Sequence, residues 1–170
     1  SNKPIREYLM NNSSLVSAIR LPENLFIENA GTEVGSDLIV LQKNTGKGIV
    51  SEQERLFIET VDIPDPDNPD KVLFTHNAMF ATESMENCVA TSRKLSTNPY
   101  GKKCMVYNHE GGIEGICSDL KLKLDRDISN ELSKGLFYGD DDYVEKLQGE
   151  METKQAFTYM PKEVADKIPA

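Results

Sequence analysis

The side chains able to do chemistry are few and scattered. His109 is followed by Glu110, Gly111 and Gly112, a string that could make His109 a metal ligand or a base oriented by Glu110. Neighbouring residues on a strand point to opposite faces, however, so the two cannot converge on one ion. The second histidine of an H-E-x-x-H zinc site is also absent, and the string reads better as a strand end whose glycines lead into a helix. His76 is the one other histidine, and it makes a conceivable but weak pair with His109. The aspartates of residues 63–70, IPDPDNPD, and the run Asp140-Asp141-Asp142 carry oxygens suited to a hard cation. The first lacks the central Gly and terminal Glu of an EF-hand loop, and its prolines block both helix and ladder, so it reads as a solvated loop. The second follows Gly139 and reads as a solvated turn. Cys88, Cys104 and Cys117 are odd in number and lack C-x-x-C spacing, which suggests buried cytosolic thiols in place of a disulfide framework or zinc site. No Ser stands in G-x-S-x-G, and no Ser or Cys pairs readably with a His. The residues thus point to no metal site and no catalytic nucleophile.

The elements that would position such groups follow from pattern. Pro4 suits the first turn of a helix over 4–11, with Ile5, Tyr8 and Leu9 at helical spacing. Leu15–Leu21 reads as a strand ended by Pro22. Residues 37–42, DLIVLQ, are too continuously apolar for one wet face, which predicts a strand covered on both sides. Asn44–Gly48 is a turn and the first plausible boundary. Ser51 with Glu54 has the capping-box spacing for a short helix whose inner side would be Leu56, Phe57 and Ile58. Residues 72–81 show no clear period. Residues 88–97 and 102–108 read as two strands joined by the turn Asn98-Pro99-Tyr100-Gly101. A long amphipathic helix from about 113 to 135 follows, with Ile113, Ile116, Cys117, Leu120, Leu124, Ile128, Leu132 and Leu136 at steps of three and four. Short helices are predicted near 143–148 and after Pro161.

The chain's 170 residues allow one domain or two small ones. Nineteen Lys and Arg against 28 Asp and Glu give a net charge of −9. No basic cluster is long enough to track a phosphate backbone, so tight DNA binding by this chain alone is not expected. No apolar run approaches the roughly 18 to 20 residues of a membrane span, and no signal pattern opens the chain. The expectation is a soluble, cytoplasmic protein with no membrane partner. It begins Ser1-Asn2-Lys3, which fits a segment of something longer.

One ordered combination goes further. The helix opening Ile5-Arg6, the strand ending Leu21-Pro22, Phe26, and a strand led by Ser36 that runs into Lys43 resemble the closing segment of the catalytic domain of N6-adenine DNA methyltransferases, especially type I modification subunits. The resemblance implies methyl transfer from S-adenosylmethionine to adenine in the intact protein. It also implies a mostly parallel doubly wound sheet whose last strand is antiparallel. Phe26 matches the aromatic that lies beside the flipped adenine, where its face can stack on the base; the competing reading has it plug the gap under the loop with Leu25 and Ile27. The family's cofactor-binding Gly-rich loop and its Asn/Asp-Pro-Pro-Tyr/Phe loop are not found. Asn98-Pro99-Tyr100 lacks the second Pro and follows the closing segment, so it reads as a turn. The second half more weakly resembles the region after the methylase domain in large mobile-element proteins, through Asn98–Lys102 and His109–Gly112.

The fold expectation is α+β: a remnant of a doubly wound α/β sheet, then a β-hairpin packed on the long helix. Residues 1–47 would be the methyltransferase closing segment, 48–71 a capped helix and acidic Pro-rich linker, and 72–170 a hairpin-plus-helix domain with a tail. The function expected is a C-terminal piece of an N6-adenine DNA methyltransferase, inactive alone, with S-adenosylmethionine and DNA bound only in the intact protein. A non-enzymatic module docking a methylase onto a partner is the alternative, and a metal-dependent hydrolase built on His109 and the aspartates is a third class. Exposure of the apolar strand 37–42 further predicts a homo-oligomer built through residues 15–43.

Overall fold

A computed structural model describes residues 2–27, 31 and 35–132. Their order is α1 (Lys3–Asn12), β1 (Ser13–Leu21), a one-turn 3-10 helix (Glu23–Phe26), β2 (Ser36–Lys43), α2 (Glu52–Ile58), β3 (Thr60–Asp65), β4 (Asn68–Asn77), β5 (Ser92–Thr97), β6 (Lys103–Asn108) and α3 (Gly112–Glu131). The class is α+β, and the described strands form three antiparallel pairs, β1–β2, β3–β4 and β5–β6. The predicted helices at 143–148 and after Pro161, and the Asp140–Asp142 turn, lie outside the described residues.

Strand β1 is the centre of the fold, and a bulge makes it so. Its register on β2 shifts between Leu15 and Ser17, so Val16 is the extra residue and side-chain parity changes across it. Leu15 therefore shares a face with Ala18 and Arg20, against Met10, Phe57, Ile58, Met79, Phe80, Cys88 and Tyr107. Ser17, Ile19 and Leu21 occupy the other face, where Ile19 and Leu21 meet Val89, Ile116, Leu120 and Leu124. Helix α3 covers that face, and the Ser17 hydroxyl donates to Asp127 at 2.6 Å. At its far end β1 also gains a second edge partner, since Arg20 N–H donates to Asn87 O and Val89 N–H to Arg20 O. Burial on both faces is worth about 1.5 to 3 kcal/mol for a side chain such as Ile19. The strand that alternates is β2, on which Ile39 is 42% exposed. The prediction of a doubly covered strand thus applies to β1; β2 has only β1 beside it among the described residues and keeps one wet face.

The short helices correct the apolar faces read from spacing. Ser51 and Glu54 form the capping box on α2, each side chain accepting from the other's backbone, and Phe57 and Ile58 are buried while Leu56 is exposed. On α1 it is Met10, supported by Leu9, that enters the core. Ile5 and Tyr8 face outward at 59% and 67% exposure, because Arg6 occupies the inner side and donates to Ile58 O.

The Asp/Pro segment is an outright correction. Residues 63–70 are not an open loop but the end of hairpin β3–β4, with Pro64 opposite Val72, Asp65 opposite Asn68, and register shifts on both sides of Pro64. A pair of strands has outward edges where a missing N–H breaks no ladder bond, so proline is tolerated. The side chains remain largely solvated, as composition demands. The segment without a period, 72–81, turns out to be the end of β4 followed by the buried Ala78, Met79 and Phe80.

Helix α3 is shorter and its apolar stripe narrower than the heptad-like spacing suggests. Ile116 is buried and Leu120 and Leu124 pack on β1, yet Cys117 is exposed and Ile128 and Leu132 stand 43% and 36% open. Its packing partners are β1 and the 3-10 turn, whereas hairpin β5–β6 packs through β6 on β4 and that same turn.

Candidate functional site

The 3-10 turn after β1 is where the two halves of the chain meet. Pro22 cannot donate to a ladder and ends the strand, and with Leu21 it is buried. The next residues are spent on partners far along the chain. Glu23 Oε2 accepts from Tyr107 N–H at 2.5 Å. Asn24 pairs with the backbone of His109 in both directions, Nδ2 donating to His109 O at 2.9 Å and Oδ1 accepting from His109 N–H at 3.1 Å. At the other end of the loop Gly35 comes so close that a Cβ there would lie 3.0 Å from Glu23 Oε1. Leu25 turns inward among Ile19, Leu21, Val89 and Ile116. Phe26 is half-buried and belongs to neither core cluster, and Ile27 is 41% exposed. The loop is therefore gripped through Glu23, Asn24 and Leu25, and Phe26 is carried at its margin.

Behind the turn lies a buried polar cluster. The Arg20 guanidinium sits 5.5 Å from the Phe80 ring centroid and 5.7 Å from that of Tyr107, and pairs with Asp37 at 2.7 Å. The Tyr107 hydroxyl donates to Phe80 O at 2.9 Å, so its oxygen accepts from His76 Nε2 at 2.7 Å. Arg93 donates to Phe80 O and Thr82 O. Burial, with the Arg20 and Arg93 charges, lowers the His76 pKa to about 4. Burial also pushes the Tyr107 hydroxyl up to about 12 and the Cys88 thiol up to about 11. The cluster therefore holds a neutral imidazole, a protonated phenol and a protonated thiol near neutral pH. Such groups fix geometry and are poor nucleophiles.

The string around His109 is likewise structural. Its Nδ1 accepts from Gly111 N–H at 3.0 Å, which leaves the ring proton on Nε2, facing Asp119 at 3.4 Å. Gly111 and Gly115 leave room for the ring, since a Cβ on Gly115 would fall 2.8 Å from His109 Cε1. His76 and His109 have separate partners, and no group of three potential metal ligands occurs among the described residues. Asn98 is also committed: its Oδ1 accepts from Tyr100 N–H and Lys102 N–H, closing the β5–β6 turn. Of the three thiols Cys88 is buried, Cys104 partly so, and Cys117 exposed, which corrects the expectation that all are buried.

A cleft of 170 Å³ opens between β1 and α3, with Ser17, Asn87, Arg126 and Asp127 on its walls. It is well below the roughly 300 to 1,000 Å³ that encloses a ligand of nucleoside size, and no Gly-rich turn stands beside it. Sequence reasoning singled out Phe26 and missed Glu23, Asn24 and Tyr107, which hold the turn that carries it. Two polar residues directly after a buried Pro were the available signal, but their partners lie more than 80 positions away.

The family model for N-6 DNA methylases matches residues 1–123, from α1 well into α3. No curated protein and no solved structure matches the chain.

Proposed function

Since the chain belongs to the N-6 DNA methylase family, we propose that it forms the target-base side of an adenine-specific DNA methyltransferase related to type I modification subunits. The intact enzyme would transfer a methyl group from S-adenosylmethionine to N6 of adenine, with cofactor and catalytic loops supplied from outside the described residues. The observation that carries the reading is the family match across residues 1–123.

Residue-level support comes from the loop. Phe26 belongs to neither core cluster although its neighbour Leu25 packs inward, so its ring is available to stack on an adenine turned out of the duplex. Further support comes from what is left uncovered. The outer edge of β2 has no strand among the described residues, and Ile39, Ile5 and Tyr8 are exposed apolar groups on β2 and α1. An antiparallel closing strand in a doubly wound sheet would offer such an edge to its neighbours. In this chain by itself the same edge would be open to a second copy.

The test is Phe26→Ala in the full-length protein. Stacking on an aromatic is worth about 1 to 3 kcal/mol per base, so single-turnover methylation should fall roughly fivefold to 150-fold, with cofactor affinity nearly unchanged. Phe26→Tyr should keep most of the rate. Parent-like methylation by Phe26→Ala would leave only a packing role for this ring.

A further inference from the structure

The charge of this chain is unevenly placed. Against a net charge of −9, no Asp or Glu occurs from Asn87 to His109, while Arg93, Lys94, Lys102 and Lys103 do. That stretch is hairpin β5–β6. Arg93 is used at its base, on Phe80 O and Thr82 O. The other three are exposed and meet no carboxylate among the described residues; Lys103 touches only the Thr97 hydroxyl, at 2.9 Å. Of the exposed lysines elsewhere, Lys3 pairs with Glu59 at 2.9 Å and Lys121 with Asp125 at 2.6 Å, while Lys43 and Lys71 stand without an ion pair among the described residues. The hairpin end is also fixed in shape: Asn98 accepts two backbone N–H groups, Asn98 N–H donates to Lys102 O, and Gly101 takes φ +78°. On this rigid turn Tyr100 stands 88% exposed, an aromatic that no core uses.

The base of the hairpin is the partner that grips the Phe26 loop, through Tyr107 N–H to Glu23 and His109 to Asn24. From Tyr107 to Lys103 is four residues of strand, a reach of about 14 Å at roughly 3.4 Å per residue. That is within one duplex diameter of the loop. Contacts to phosphate oxygens set where a protein sits on DNA, and base contacts follow from that register.

We propose that hairpin β5–β6 is a phosphate-contacting finger, with Lys103 on one face, Lys94 on the opposite face and Lys102 at the turn, that meets the DNA backbone beside the target adenine while the hairpin base aims the Phe26 loop. The inference rests on the methylase reading and extends it to a surface the sequence assigned to a mere turn. A plainer account exists for lysines on an edge strand, which discourage strand-to-strand aggregation. It does not explain Lys102, which lies in the turn where there is no edge to guard. Three cations make a weak site by themselves, in keeping with the acidic chain around them.

The experiment uses the full-length protein, a fluorescently labelled DNA duplex and a salt titration of binding. Each phosphate contact removed should lower the slope of log affinity against log salt by about 0.9. The triple variant Lys94→Gln, Lys102→Gln, Lys103→Gln should therefore lose about 2 to 3 from the slope. Lys71→Gln, an exposed lysine on β4, should lose nothing. All three side chains are exposed, and a thermal melt matching the parent's verifies that the fold is kept. An unchanged slope in a triple variant whose parent binds DNA overturns the finger and leaves the methylase reading to the Phe26 test. A parent without duplex affinity overturns both. Loss of solubility with an unchanged slope assigns the lysines to edge protection and likewise overturns the proposal.

Discussion

Replacing Gly115 with Ala should destabilise this protein even though alanine is the better helix former. Inside α3 the exchange ought to gain up to about 1 kcal/mol of helix propensity. The added Cβ, however, would lie 2.8 Å from His109 Cε1 and 3.1 Å from Nδ1, whereas nonbonded carbon atoms prefer about 3.5 to 4.0 Å. The ring must retreat by most of an ångström, and it has no free direction. Nδ1 is held by Gly111 N–H, Gly111 itself crowds the ring, and the His109 backbone is pinned by Asn24 on both its N–H and C=O. Overpacking of this kind costs about 1 to 3 kcal/mol, and weakening the Gly111 hydrogen bond adds about 1. Set against the helix gain, the net loss should be about 1 to 3 kcal/mol, or roughly 2 to 12 °C in Tm for a chain of this size. Urea unfolding should show a lower midpoint at unchanged slope. In a His109→Ala background the obstacle is gone, and Gly115→Ala should there stabilise. Stabilisation by Gly115→Ala in the parent would refute the wedged-histidine geometry, and with it the claim that the His-Glu-Gly-Gly string anchors the Phe26 loop.

Two further outcomes follow from buried charge. Glu54 is 5% exposed, caps α2, accepts from Leu15 N–H and pairs with Lys47, which is itself buried; Glu54→Ala should cost about 3 kcal/mol in denaturant unfolding, since it leaves an unpaired buried ammonium, and a loss below about 1 would show that Lys47 simply moves into water. His76 has its folded pKa depressed from 6.5 to about 4 by burial and by the Arg20 and Arg93 charges; between those values the unfolded chain binds a proton that the folded chain refuses, so this contribution is whole above pH 6.5 and is lost as pH falls toward 4. Denaturation of parent and His76→Gln across that window should show the steeper acid loss in the parent, and parallel curves would contradict the burial argument.

Local pattern was enough for most of the elements. Pro4 and Pro22 mark where α1 starts and β1 stops, the Ser51/Glu54 capping box forms as its spacing requires, and Asn98-Pro99-Tyr100-Gly101 closes a hairpin, because each is an interaction among near neighbours. The family was legible in the order of Ile5-Arg6, Leu21-Pro22, Phe26, Ser36 and Lys43 along the chain, a resemblance that the family match bears out. Tertiary structure decided the rest. Which strand lies at the centre depends on a bulge at Val16 that changes the parity of β1, and no sequence period announces an extra residue. Which faces of α1 and α3 are inward depends on the width of the neighbour, so Tyr8 and Cys117 fit a helical stripe and still face water. The Asp/Pro segment could pair because a hairpin has free edges, a property of the sheet and not of the residues. Above all, the grip on the Phe26 loop joins Glu23 and Asn24 to Tyr107 and His109. Contacts across some 85 positions are bought with packing over the whole core, and only the folded chain states which residues they join.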